Sequence, residues 1–93
     1  MKILAKRIVV HGMVQGVGFR YFVRKAGMER GLTGNACNFL DGTVEIIVEG
    51  DALKIEDFLK EVERGPALSR VEQMDISDIP ALGAYDSFLV EGR

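Results

Sequence analysis

Between Asp51 and Gly65 the apolar residues Ile55, Phe58, Leu59 and Val62 recur at i, i+3, i+4 and i+7, while Glu56, Asp57, Lys60, Glu61 and Glu63 take the intervening positions. At 3.6 residues per turn this spacing gathers one apolar stripe along one side of a helix and leaves the other side charged. A helix cannot bury its own stripe, so the rest of the chain must offer an apolar surface to cover it. Residues 6–11, 33–40, 43–49, 71–77 and 85–91 supply strands, rich in β-branched residues or alternating in polarity. Asp41-Gly42 reverses the chain between the second and third of these. Residues 21–30, closed by Gly31, read as another helix. Asp51 stands at the expected N-cap of the striped helix, and Gly65-Pro66 ends it.

The order is therefore β-α-β-β-α-β, with a short extra strand near the C-terminus. A mainly antiparallel sheet with two helices on one face buries both stripes, which is a ferredoxin-like α/β sandwich of the α+β class. With 93 residues the whole chain, 1–93, is expected to form one domain. No segment has the apolar length of a membrane span or a signal peptide. The only cysteine, Cys37, permits no internal disulfide. A monomer in the cytoplasm, with no membrane partner, is the expectation.

A net charge of −2 runs against a nucleic-acid partner, whose phosphates call for a basic field. An RNA-binding domain of this architecture would also need exposed aromatics on its central strands. Residues 8–10 and 44–48 contain none.

Residues 12–20, Gly-Met-Val-Gln-Gly-Val-Gly-Phe-Arg, lie between the first strand and the first helix. Glycines there let successive backbone N–H groups converge on one point, and the helix adds its unsatisfied N–H groups and the positive end of its dipole. Arg20, at the helix start, can clamp a phosphoryl group with its planar fork. The dinucleotide fingerprint would need glycine where Tyr21 stands, and a Walker loop needs Gly-Lys followed by Ser or Thr. Neither is present. Strand-loop-helix grammar alone leaves an anion site and a plain glycine-rich connector both open.

The segment resembles the acylphosphatase signature, G-x-V-Q-G-V-x-F-R, with every specified position matched from Gly12 to Arg20. Gly34, Asn38, Gly42, Val44 and Gly50 match a second stretch of that family in register. The resemblance implies hydrolysis of an acyl phosphate, a small-molecule substrate, to a carboxylate and inorganic phosphate, with no metal and no cofactor. It implies that Gln15, Gly16, Val17, Gly18, Phe19 and Arg20 bind the phosphoryl group and that Asn38 positions the attacking water, so that Arg20 and Asn38 are the catalytic pair. A non-catalytic phosphate- or carbamoyl-phosphate-binding module of the same fold is the alternative. The Gly-x-x-Cys-Asn run ending at Asn38 also resembles the acylphosphatase-like domain of hydrogenase-maturation carbamoyltransferases.

Against the family pattern, Asn35 stands in place of a common aromatic and Cys37 in place of a common basic residue. Gly27 and Arg30 replace apolar residues, which is expected to soften the packing of the first helix, and Ala67 follows Pro66 where a second proline is frequent.

The fate of Asn38 depends on the hairpin. A bulged Asp41-Gly42 turn pairs Asn38 with Val44 and aims its amide toward the helices and Arg20, whereas a strict two-residue turn aims it away. His11, the only histidine, lacks metal-ligand companions at suitable spacing and reads as structural. Cys37 reads as a small apolar packer, and Phe19 as a plug beneath the loop.

Overall fold

The computed structural model describes residues 1–92. Seven elements follow in the order β1 (Ile3–Met13), α1 (Phe19–Glu29), β2 (Thr33–Asn38), β3 (Val44–Asp51), α2 (Ala52–Arg64), β4 (Arg70–Ile79) and β5 (Phe88–Glu91). They build one five-stranded sheet in the order β4-β1-β3-β2-β5. Three of its pairings are antiparallel, and β5 adds to β2 in parallel. This is the ferredoxin-like α+β sandwich anticipated from the element order.

The register explains why one face is apolar. Ile8 pairs with Ile46 and Val10 with Val44, so these side chains and Val48 share a face and are fully buried. Val23 and Ala26 of α1, and Ile55, Phe58 and Val62 of α2, close over them in one continuous core. Each fully buried aliphatic or aromatic side chain there contributes about 1.5–3 kcal/mol. The other face carries the alternate residues and mixes ion-paired side chains with apolar ones such as Val9 and Ile47. Arg7 Nε donates to Glu45 at 2.6 Å, and His11 Nε2 lies 2.8 Å from Asp75 Oδ2, which gives His11 the structural role expected of it. The chain between β4 and β5 crosses this second face, where the Gly83 N–H donates to the Glu49 carboxylate at 3.0 Å.

The strand limits differ from the sequence reading for identifiable reasons. β1 starts earlier because Ile3 and Leu4 pair with Asp51 and Gly50. It ends later because a bulge between His11 and Gly12 lets Gly12 and Met13 pair with Val71 and Arg70. Gly12 thus belongs to the strand, and the connecting loop is shorter than the glycine content suggests. β5 begins at Phe88 because only from there does it have a partner on β2. Asp51 occupies the N-cap position of α2, but its side chain makes no capping bond. The Ala52 N–H instead donates to the Lys2 carbonyl at 2.9 Å, so a distant backbone group replaces the expected carboxylate. Cys37 is half-exposed rather than packed in the core, because its register places it on the second face.

Gly27 reverses the expectation of softened packing. It is buried on α1, and a methyl group there would lie 2.5 Å from two ring carbons of Phe88. The missing side chain is the space into which Phe88 fits, and Phe88 in turn meets Phe58 at a centroid distance of 5.9 Å. Gly27→Ala gains about 1 kcal/mol of helix propensity but overpacks the core at a cost of about 1–3 kcal/mol. The variant is expected to be less stable, as a lower urea midpoint with unchanged slope will show.

Candidate active site

The β1–α1 loop is shaped by two glycines in the left-handed region, Gly16 at φ +74° and Gly18 at φ +76°. An added Cβ would meet nothing within 4 Å at either position. They are glycines for backbone conformation, not for space. Val14 and Phe19 anchor the two ends of the loop in the core, and Val17 packs partly against it. Phe19 is the plug that its position suggested.

Gly18 is also the N-cap residue of α1. Among the described residues no side chain caps this helix, and its first turn carries no acidic residue. The first-turn N–H groups and the dipole end therefore face outward beside Arg20, an arrangement suited to an anion.

The loop is stitched to the β2–β3 hairpin. Gln15 Nε2 donates to the carbonyls of Phe39 and Thr43, at 2.7 and 2.9 Å. The hairpin is itself rigid. The Gly42 N–H donates to the Phe39 carbonyl, Gly42 sits at φ +93°, and Asp41 accepts from both the backbone N–H and the hydroxyl of Thr43. The Thr43 bonds hold the Asp41 carboxyl below the usual carboxylate range, so the cap on this turn is ionised at neutral pH.

This is the bulged turn, and Asn38 pairs with Val44. Since Val44 faces the helices, so does Asn38, which is only 9% exposed. Its Oδ1 has no hydrogen-bond partner among the described residues. An unpaired buried acceptor costs about 1–3 kcal/mol, so Asn38 Oδ1 calls for a partner that the described residues do not supply. Asn35, three residues earlier, is on the opposite face. It too is buried, with an Oδ1 that has no hydrogen-bond partner among the described residues.

Arg20 and Asn38 come together at the end of β5. Arg20 Nη1 donates to the Glu91 carbonyl at 2.7 Å. The Cβ direction of Gly92 points at a spot 2.5 Å from Arg20 Nη1 and 3.2 Å from Asn38 Cβ. The two side chains thus flank one small region, with the Gln15–Phe39–Thr43 stitch on the hairpin side. The sequence reading missed the Glu91 carbonyl and Gly92. No side-chain signature could have revealed them, since one is a backbone acceptor and the other a glycine.

The family model described as Acylphosphatase matches residues 6–90 of this chain. The chain belongs to the acylphosphatase family. It is 40% identical to the acylphosphatase of Bacillus pumilus over 84 residues, covering 90% of this chain and 93% of that one. The crystal structure of the acylphosphatase from Bacillus subtilis superposes with a TM-score of 0.90 at 38% identity, covering 94% of this chain and 97% of that one. A segment amounting to 12% of HypF from T. kodakarensis is also similar, with a TM-score of 0.84 and 35% identity over 95% of this chain. All the acylphosphatase signature positions, Gly12 to Arg20 and Gly34 to Gly50, fall within the matched span.

Proposed function

We propose that the chain hydrolyses acyl phosphates to a carboxylate and inorganic phosphate, as a monomeric, metal-independent, cytoplasmic enzyme whose residues 1–93 form one domain. The observation that carries this reading is the meeting of Arg20 with a buried Asn38, whose Oδ1 has no partner among the described residues, at the mouth of α1. The backbone N–H groups of Gln15, Gly16, Val17, Gly18 and Phe19 and the guanidinium of Arg20 hold the phosphoryl oxygens. Asn38 Oδ1 accepts a hydrogen bond from the attacking water and so aims the water oxygen at phosphorus.

A bond forms from the water oxygen to phosphorus as the bond from phosphorus to the acyl oxygen breaks. The carboxylate leaves with the electron pair, and the water's protons stay with the phosphate product. Because a carboxylate is a good leaving group, positioning and charge stabilisation can carry the step without a protein acid or base. Arg20 and the loop N–H groups supply the positive charge that a metal ion would otherwise bring.

The net charge of −2 supplies no basic field for the phosphates of a nucleic acid, whereas the loop and Arg20 suffice for one small anion. The expected result is phosphate release from a generic acyl phosphate with chelator present, inhibited competitively by inorganic phosphate. Activity abolished by chelator and restored by added metal contradicts the mechanism. Phosphate binding without any turnover points to a binding module instead.

A further inference from the structure

We infer that Gly92 is a positioning residue for Arg20, and that the end of β5 sets the guanidinium as much as α1 does. The inference rests on Arg20 acting as the phosphoryl clamp. Two arginines one turn apart on α1 each donate to a backbone carbonyl of β5, Arg20 Nη1 to Glu91 at 2.7 Å and Arg24 Nε to Phe88 at 3.1 Å. β5 is fixed in turn by its parallel pairing with β2, which sets Glu91 opposite Cys37. The next residue, Gly92, therefore comes level with Asn38. It reaches there at φ +149°, a backbone conformation that L side chains rarely adopt.

A Cβ at Gly92 would lie 2.5 Å from Arg20 Nη1, 3.0 Å from the Asn38 backbone nitrogen and 3.2 Å from Asn38 Cβ. The neighbours differ in how they can yield. The Asn38 backbone belongs to a strand paired on both sides, whereas the guanidinium is the tip of a flexible side chain. A methyl group at position 92 therefore displaces Arg20 before it moves the sheet. With glycine there, one N–H of the fork rests on the Glu91 carbonyl and the remaining donors are held in one plane for the phosphoryl oxygens. A catalytic fork needs such support, because small misplacements are costly in rate.

The test is Gly92→Ala in the full chain, with Gly83→Ala as the control. Gly83 also has a positive φ, of +66°, but open space around its Cβ direction. Gly92→Ala is expected to weaken competitive inhibition by inorganic phosphate about tenfold, the scale of one charge-assisted hydrogen bond. kcat/KM should fall at least as far. The melting temperature should drop no more than in the control. In an Arg20→Ala background the same substitution should cost nothing further, because its effect travels through Arg20.

Phosphate inhibition and kcat/KM equal to those of the unmutated chain overturn the proposal. So does an additive loss in the Arg20→Ala background, or a loss of activity that follows a loss of folding. If the unmutated chain neither hydrolyses an acyl phosphate nor responds to phosphate, the functional reading fails and this inference falls with it. If the unmutated chain does both, a failure confined to Gly92→Ala leaves the functional reading standing.

Discussion

Arg20→Lys is expected to lose about 100-fold or more in kcat/KM while keeping its charge and its fold. The ammonium of lysine is a point charge on a flexible stem. It can reach either the Glu91 carbonyl or the phosphoryl group, but it cannot span both as the planar fork does. The observation behind the prediction is that Arg20 already spends one N–H on Glu91 and must have others to offer. Affinity for inorganic phosphate should fall together with turnover, since the same donors serve both. Measuring the phosphate inhibition constant and the single-turnover rate of the variant checks this. A lysine variant with near-normal phosphate affinity would show that the backbone N–H groups carry the binding alone.

Asn38→Ala should separate what Arg20→Lys joins. The loop and Arg20 remain intact, so phosphate affinity should stay within about threefold, while kcat falls about 100-fold through loss of the oriented water. Stability should hold or rise. The native Oδ1 is buried without a partner, and removing it relieves a desolvation cost of about 1–3 kcal/mol. A variant that is as stable as the parent or more so, binds phosphate and turns over poorly is the signature of a residue kept for chemistry. Near-normal turnover in this variant would reduce Asn38 to a hairpin residue and remove the water-positioning step.

Much of this arrangement is legible in the sequence because it depends on local chemistry. The stripe of Ile55, Phe58 and Val62 specifies α2 and its buried side. The glycines of the β1–α1 loop specify a backbone that other residues would strain, whereas Asp41-Gly42 fits either a bulged or a strict two-residue turn, and only the observed register turns Asn38 inward. What the sequence does not display is every contact in which a distant backbone group does the work. The Lys2 carbonyl receives the first N–H of α2 in place of the Asp51 side chain, and any residue at position 2 would offer that carbonyl.

The parallel addition of β5 to β2 places the Glu91 carbonyl under Arg20, and a carbonyl has no signature in a string of side chains. Gly27 is a third kind of case. Taken alone it is a poor helix former. It makes sense only once Phe88 is known to occupy the space that its side chain would take.

The bond between Arg20 and Glu91 joins residues 71 positions apart, and this bears on when a newly made molecule becomes active. β1 must wait for β4, and α1 must wait for β5, before either can complete its contacts. Closing such distant loops costs entropy before any contact repays it, and topologies of this kind fold slowly for their size. The loop at the start of α1 leaves the ribosome early, yet its arginine has no anchor until nearly the whole chain has emerged. If Arg20 is the phosphoryl clamp proposed above, its anchored geometry requires the last strand to be docked.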